Sequence, residues 1–167
     1  MIRYYCFGLL FLLASCQKGT DSERRSDPGS DVVLTTFYPT TYFAQRIAGD
    51  HLKVECPLPE GADPIFWMPD AEAMRRYQAA DFILLNGAQF EKWVDKVTLP
   101  SSRVVNTSRG LEDHLVRYLE ATTHRHGPEG DHVHEGIDGH TWIDPLNAYA
   151  QAQEIAESLS KRWPEHA

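Results

Sequence analysis

The chain has 167 residues and a formal net charge of −8, from 24 acidic and 16 basic side chains. This length suits one domain with a hydrophobic core, and a hydrophobic content of 42% argues against a disordered chain. The acidic balance disfavours nucleic acid as a partner, because phosphate binding requires a basic face that is not evident here.

Residues 1–15 have the features of a lipoprotein signal peptide. A basic Arg3 precedes an apolar stretch, residues 4–14, that is too short to span a bilayer stably. The run Leu13-Ala14-Ser15-Cys16 resembles a lipobox, which predicts cleavage before Cys16 and lipid attachment to its thiol. We therefore expect a lipid-anchored protein of the cell envelope, periplasmic or extracytoplasmic. An ordinary secretory signal with an incidental cysteine is the alternative.

Residues 16–30 are polar and rich in glycine, serine and charge, which predicts a flexible tether that ends near Asp31. Once Cys6 leaves with the signal and Cys16 carries lipid, only Cys56 is unassigned, so no internal disulfide is expected. Cys56 lies in an apolar run, which favours a buried, inert thiol over a metal ligand.

Strands and helices then alternate along the chain. Short apolar runs predict strands at 32–37, 52–58 and 82–85 and a fourth strand around Val104 and Val105. Helices are predicted at 40–49, ended by Gly49, and from Asp70 to residue 77. A further helix is predicted after residue 87, since Phe90, Trp93 and Val94 fall on one helical face.

The last third of the folded region predicts one more helix. Residues 111–119 fit a helix or a return segment equally well. Asp144-Pro145 starts the last helix, which Pro164 ends. Its apolar stripe consists of Tyr149, Ala152, Ile155, Ala156, Leu159 and Trp163. The alternation predicts an α/β fold, a three-layer lobe with a roughly four-stranded parallel sheet, and ligand binding beyond the carboxyl ends of the strands.

Five of the eight histidines crowd residues 124–140, namely His124, His126, His132, His134 and His140. Neutral imidazole is a good ligand for zinc, nickel or copper, and nearby carboxylates add oxygen ligands. No helical or strand periodicity is visible here, which predicts a mobile histidine-rich loop over 121–139 that contacts a divalent metal. A solvated polar loop without a metal is the alternative.

Catalytic zinc patterns do not fit this segment. Glu135 follows His134, but the fifth position of an H-E-x-x-H pattern is Asp138, and Gly136 and Gly139 would disrupt the required helix. The chain also offers no serine nucleophile elbow, phosphate-binding glycine loop or catalytic Cys–His pair. We expect no enzymatic activity and keep a zinc hydrolase as the less supported alternative.

The run Asp138-Gly139-His140-Thr141-Trp142-Ile143-Asp144-Pro145 resembles the D-x-H-x-W-x-D-P signature of zinc/manganese solute-binding lipoproteins of ABC importers. Segments 37–39 and 86–93, and the position of the histidine-rich loop, are similar to this family too. The resemblance extends from about residue 31 to the end of the chain. It implies two α/β lobes joined by a long helix, with the metal held between them by four ligands. His140 would be the second ligand of the first lobe.

Two departures from the family pattern affect the implied site. The first ligand usually appears as D-P-H, but here Asp63-Pro64 is followed by Ile65, which cannot coordinate a metal. Glu60, Asp63 or a histidine of the loop are possible substitutes. The chain also stops at Ala167, where the family continues into the connecting helix and second lobe, so we expect a truncated N-terminal lobe that lacks both.

The resemblance implies extracytoplasmic capture of a divalent metal, zinc or alternatively manganese, for an ABC permease in the inner membrane. His140 is expected as the core ligand, and His124, His126, His132 and His134 as collectors on the loop. The rival functions are a metal-buffering or sensing lipoprotein without a transport role and the zinc hydrolase. The sequence offers no observation that tests an adhesin-like surface role.

Overall fold

A computed structural model describes residues 31–118, 122–125, 131–134 and 136–167 of the chain. The predicted signal peptide, the lipid attachment at Cys16, the tether and His126 lie outside these residues. Within the described part, no helix combines the length and apolar character that a membrane span requires.

Four strands form one parallel sheet in the order β2-β1-β3-β4. They are β1 (Val32–Thr35), β2 (Lys53–Glu55), β3 (Phe82–Leu85) and β4 (Val104–Asn106). Val33 pairs with Val54 on one side and with Phe82 on the other, and Leu84 pairs with Val105. The predicted four-stranded parallel sheet is thus confirmed, with β2 shorter than expected. Because all strands are parallel, their carboxyl ends meet at one edge, which we call the site edge.

Three α-helices cover the sheet: α1 (Tyr38–Ala48), α2 (Ala71–Ala79) and α3 (Pro145–Arg162). Gly49 follows α1 with a φ of 55°, a conformation that glycine adopts without steric cost. Asp70 and Asp144 cap α2 and α3, and each accepts a hydrogen bond of 2.8 Å from a backbone N–H of the first turn.

The core consists of two layers, one on each face of the sheet. Alternating strand residues divide between these faces, as a two-residue period requires. Val33, Phe82 and Leu84 pack against α1 and α3, where Ile155 and Leu159 complete the layer. The opposite layer contains Leu34, Tyr77, Ala80, Ile83, Leu85 and Trp93. The fold is therefore the predicted three-layer α/β lobe.

The prediction of a helix after β3 is wrong. The structure has only a 3-10 turn, Val94–Lys96, preceded by an irregular loop. Gly87, Ala88 and Gln89 all have positive φ values, which no α-helix accommodates. Phe90 and Trp93 are both buried, but in separate clusters, so their spacing does not define one helical face.

Residues 111–118 form a return segment rather than a helix. After a 3-10 turn, Glu112–His114, Arg117 makes an antiparallel bridge with Ile137. The apolar stripe of α3 needs a correction too, since Tyr149 is 64% exposed. The buried stripe consists of Asn147, Gln151, Ile155 and Leu159. Cys56 is half-buried instead of buried.

The histidine-rich segment contains two strands, so the prediction of a loop without strand structure is wrong. β5 (Thr122–Arg125) and β6 (Asp131–His134) pair antiparallel, and His124 lies opposite His132 in the ladder. A search for apolar periodicity misses such strands because β5 (TTHR) and β6 (DHVH) consist of polar residues apart from Val133 and therefore present no apolar face.

Candidate metal-binding site

His140 lies at the site edge of the sheet, one residue before a 3-10 turn, Thr141–Ile143, that leads into α3. Its imidazole is half-buried and contacts two aromatic rings. The ring centroids of Phe90 and Trp142 are 5.7 Å and 5.3 Å away. Asn86, directly after β3, donates from Nδ2 to the Gly139 carbonyl at 2.8 Å. The end of β3 therefore fixes the backbone next to His140.

Asp138 orients the His140 side chain. Its Oδ1 lies 2.7 Å from the Nδ1 of His140 and accepts a 3.0 Å hydrogen bond from the His140 backbone N–H. A carboxylate at Nδ1 favours the tautomer that carries its proton there and its lone pair on Nε2, the atom that a metal would bind. This carboxylate–histidine pair is the arrangement that orients imidazole ligands in zinc sites.

The Asp138 carboxyl is held in its ionised form. Partial burial opposes ionisation, but hydrogen bonds from the His140 backbone, the His140 ring and the Tyr118 hydroxyl together lower the pKa of Asp138 below its usual value. An ionised Asp138 makes the imidazole a more basic ligand, which favours cation binding.

A short antiparallel ladder supports Asp138. The Asp138 N–H donates to the Val116 carbonyl at 2.8 Å, and the Tyr118 N–H donates to the Gly136 carbonyl at 2.9 Å. Along the chain, β5 follows one strand of this ladder and β6 precedes the other. The structure thus connects the histidine-bearing ladder to Asp138 and His140 through the backbone, while the positions of His126 and of the histidine side chains of β5 and β6 are outside what it describes.

The loop after β3 packs against the backbone of residues 139–141, which we call the His140 segment. A Cβ on Gly139 would lie 3.0 Å from the Cα of Phe90 and 3.2 Å from the Ala88 carbonyl oxygen, so any other residue would require this backbone to move by a few tenths of an ångström. The buried Glu91 carboxyl holds the loop, because it accepts from the N–H groups of Asn86 and Gly87 at 2.6 Å and 3.1 Å. It also accepts from the Thr36 hydroxyl at 2.5 Å.

Burial raises the pKa of Glu91, although its hydrogen bonds from Thr36, Asn86 and Gly87 oppose that shift. Glu91 is only 5% exposed. Its hydrogen bonds connect the ends of β1 and β3 at the site edge. The ring of the adjacent Phe90 contacts the imidazole of His140.

Ile65, at the position where the resemblance implies a ligand, is buried in an apolar cluster with Phe37 and Phe90. Trp142 packs against the same cluster, so the two rings that contact His140 both belong to or border the cluster that buries Ile65. Asp63 accepts from the Ile65 N–H at 2.9 Å and so stabilises the local turn.

A surface depression lies beside the His140 imidazole. It is lined by His114, Leu115, Val116, Asp138, His140, Thr141, Ile143, Asp144 and Asn147. Across residues 31–118 and 136–167, no three histidine, cysteine or acidic side chains are grouped closely enough to hold one metal ion. Within that part of the chain, the donor set at the depression centres on the Asp138–His140 pair.

Sequence reasoning missed the buried polar residues that support the site. Glu91, Asn86 and Gln151 look like solvent-exposed loop or helix residues when only apolar periodicity is scored. One signal was available, because Asn147 and Gln151 occupy the same i, i+4 row as Ile155 and Leu159.

The chain is similar to known metal-binding proteins over most of its length. Residues 33–167 match the family described as zinc-uptake complex component A, periplasmic. The zinc-binding lipoprotein AdcA of Streptococcus pneumoniae is 34% identical over 161 residues, which cover 93% of this chain and 30% of AdcA. The manganese ABC transporter substrate-binding lipoprotein PsaA of the same species is 31% identical over 167 residues, covering 95% of this chain and 49% of PsaA.

A solved structure extends the likeness to three dimensions. The crystal structure of Zn(II)-bound AdcA from Streptococcus pneumoniae matches with a TM-score of 0.61 at 28% sequence identity, covering 80% of this chain and 26% of that one. The chain spans between 30% and 49% of the length of the two curated relatives. Because the family match covers nearly all of the described fold, the chain belongs to the periplasmic zinc-uptake complex component A family.

Proposed function

We propose that this protein captures a divalent metal ion, zinc or alternatively manganese, outside the cytoplasm, and that His140 is its core ligand. The observation that carries the proposal is the contact between Asp138 Oδ1 and His140 Nδ1 at 2.7 Å, which favours the tautomer with its lone pair on Nε2, the atom proposed to bind the metal. Relatives that are named for zinc and for manganese support both choices of metal.

We call the paired strands β5 and β6 the histidine ladder. Its histidines are proposed to bind metal ions weakly and so to raise the local metal concentration near His140. His124 is paired opposite His132, and His134 lies two residues further along the same strand. Directly opposed residues and residues two apart share one face of an antiparallel ladder, so these three positions lie together. His126 is proposed to join them. Histidine-rich tracts of this kind are typical of metal binding, and imidazole suits zinc.

The proposed physiological role is metal transport. Metal captured by this lobe would be delivered to an ABC permease in the inner membrane, as the name of the manganese-transporting relative suggests. Anchoring through a lipid on Cys16 is supported by the lipobox-like sequence and by relatives that are named lipoproteins. The role requires binding and release but no chemical step, so we propose no enzymatic activity.

The test is calorimetric titration of the full chain, purified in mild detergent and stripped with a chelator, with Zn²⁺ near neutral pH. The wild-type chain is expected to show saturable uptake that includes a site at His140, and His140→Ala is expected to lose that site. His51→Ala is the matched control, because His51 stacks on His166 away from the residues that line the depression. Equal affinity in wild type and His140→Ala would refute the proposed ligand.

A metal-buffering role without transport is the alternative that the paired strands of the histidine ladder favour. In that case nearly all zinc uptake would reside in β5, β6 and the residues between them, with weak binding at several sites. Removing the ladder would then abolish uptake, whereas one tight site that survives removal would exclude the alternative.

A further inference from the structure

A buried polar network lies directly behind the His140 segment. Asn86, Thr141 and Gln151 form its centre, and they are 0%, 5% and 2% exposed. They come from three parts of the fold: the end of β3, the 3-10 turn after His140, and the middle of α3. Burying polar side chains costs free energy unless each finds a hydrogen-bond partner, and all three do so here.

The hydrogen bonds of the network converge on the residues next to His140. The Thr141 hydroxyl lies 3.0 Å from Gln151 Oε1 and 3.3 Å from Asn86 Oδ1. Gln151 donates from Nε2 to Asn86 Oδ1 at 3.0 Å and to the Thr107 hydroxyl at 3.0 Å. Asn86 in turn donates to the Gly139 carbonyl at 2.8 Å. The residues before and after His140 are therefore both bonded to one rigid unit.

We infer that Asn86, Thr141 and Gln151 are positioning residues that set the zinc affinity of His140. The inference rests on the proposed metal-binding function. None of the three is proposed to touch the metal, since they act through Gly139 and through the backbone of residue 141. A fully satisfied buried network permits one arrangement of the segment it holds, and a ligand held in its binding geometry loses less entropy when the metal arrives.

Gln151 gives α3 a direct part in the site. Its amide hydrogen-bonds to Asn86 at the end of β3 and to the Thr141 hydroxyl. The position of α3 along the sheet therefore determines where residues 139–141 lie. Nearby Ile155 and Leu159 fix that position by packing into the core. The imidazole is thus positioned by a helix whose buried residues Ile155 and Leu159 belong to the hydrophobic core.

The decisive experiment compares Thr141→Val with Thr141→Ser in the full chain. Valine has nearly the shape of threonine but cannot hydrogen-bond, whereas serine keeps the hydroxyl. Thr35→Val is the matched control, because Thr35 is fully buried and its hydroxyl bonds to Thr41 at 2.6 Å and to the Glu55 carbonyl at 3.2 Å, away from His140. Zinc dissociation constants and urea unfolding are measured for every variant.

Thr141→Val is expected to weaken zinc binding about tenfold, the lower end of the range for residues that orient metal ligands. Thr141→Ser should restore affinity to within about twofold, and Thr35→Val should lose stability without a change in zinc affinity. Gln151→Met provides a second variant in case Thr141→Val does not fold, and its affinity should fall similarly. The absorption of bound Co²⁺ should change in Thr141→Val and not in Thr35→Val.

Wild-type affinity in a folded Thr141→Val or Gln151→Met overturns the inference. So does an equal loss of affinity in Thr35→Val, which would show that zinc binding follows stability alone. If the wild-type chain and His140→Ala bind zinc equally, the proposed function itself fails, which is a different result from the loss of positioning alone.

Discussion

At the scale of single residues, the side chain at position 65 is expected to affect the affinity for metal. Ile65 belongs to one apolar cluster with Phe90, whose ring contacts the His140 ring. We expect Ile65→His to add a second imidazole beside His140 and to tighten zinc binding about tenfold, which corresponds to about 1.4 kcal/mol. Calorimetric titration measures the effect.

Ile65→Asn is the control for this prediction, because it places a polar side chain without an imidazole in the same cluster. Both variants should lose stability without metal, since a polar group replaces a buried apolar one. Only the histidine variant should regain stability when zinc is added. A folded Ile65→His protein with wild-type affinity would show that residue 65 does not face the ligand position.

Glu91 makes the stability of the fold depend on pH. Its folded-state pKa is raised by burial, so the folded protein holds that proton more tightly than the unfolded chain does. The stabilising contribution of this proton is full below the unfolded-state pKa of about 4.3 and is lost as pH rises through the folded-state pKa. Comparison of wild type with Glu91→Gln isolates the effect, because glutamine does not titrate.

The measurement is urea unfolding of both proteins from about pH 4 to about pH 8. The difference in unfolding free energy should shift in favour of Glu91→Gln as pH rises. A shift in favour of wild type over the same range would mean that the three hydrogen bonds outweigh burial and that Glu91 is a stabilised carboxylate.

Single residues also show what one sequence can reveal about a site. His140 was found because imidazole is rare and chemically specific and because it lies in a distinctive signature. Asn86 and Gln151 were not found, because their role depends on burial, which the packing of β3 against α3 creates. The candidate ligand is therefore predictable from the sequence, whereas the buried residues that support it are not.

At the scale of elements, the histidine ladder can be separated from the rest of the site. The Tyr118 N–H donates to the Gly136 carbonyl, so the two chain segments that flank residues 119–135 are hydrogen-bonded to each other. We therefore expect that replacement of residues 119–135 by Asn-Gly, a pair that favours a tight two-residue hairpin, leaves the fold intact. The zinc site at His140 should persist, while the sites on the histidine ladder should disappear from the titration.

The control for this replacement keeps residues 119–135 and changes their four histidines to glutamine. It should lose the same weak sites, because imidazole nitrogen is the ligand that both variants lack. If both variants lose all zinc binding, the ladder holds the metal and the buffering role replaces the one proposed here.

Elements differ in how well their own residues determine them. β3 was predicted at its observed bounds because an uninterrupted apolar run predicts a buried strand. The loop after β3 was mistaken for a helix because Phe90 and Trp93 have helical spacing, although Glu91 bonds back to Asn86 and Gly87 and stabilises a different path. Such long-range and loop-closing bonds leave no periodic trace in the sequence.

At the scale of the whole molecule, the alternation of elements was sufficient to predict the fold class. The two core layers require apolar residues on both faces of the sheet, and the sequence shows these as continuous apolar strands. The strand order β2-β1-β3-β4 was not predicted, since neighbouring positions in the sheet depend on which helices cover which face.

Trp163 closes the core layer beneath α1 and α3. It is buried, its ring lies 5.6 Å from the Phe82 ring, and its Nε1 donates to Asp31 at 2.8 Å. We expect Trp163→Ala to lower the unfolding free energy by about 3–5 kcal/mol, because it leaves a cavity between the helices and the sheet. Urea denaturation measures the loss.

Trp163→Phe separates packing from hydrogen bonding. It keeps an aromatic ring against Phe82 and should cost only about 1 kcal/mol from the lost indole bond, plus a small packing defect. A loss as large as that of alanine would place most of the stabilisation in the bond to Asp31.

The bond between Trp163 and Asp31 also has a mechanical meaning. With 18 residues, α3 is about 27 Å long, and its two ends reach opposite edges of the sheet. Asp31 is where the predicted lipid tether joins the folded lobe. A force applied through the predicted lipid anchor would therefore act on the first strand and on the C-terminal end of α3 together. Both lie at the edge of the sheet opposite His140, so such a force would act far from the proposed metal ligand.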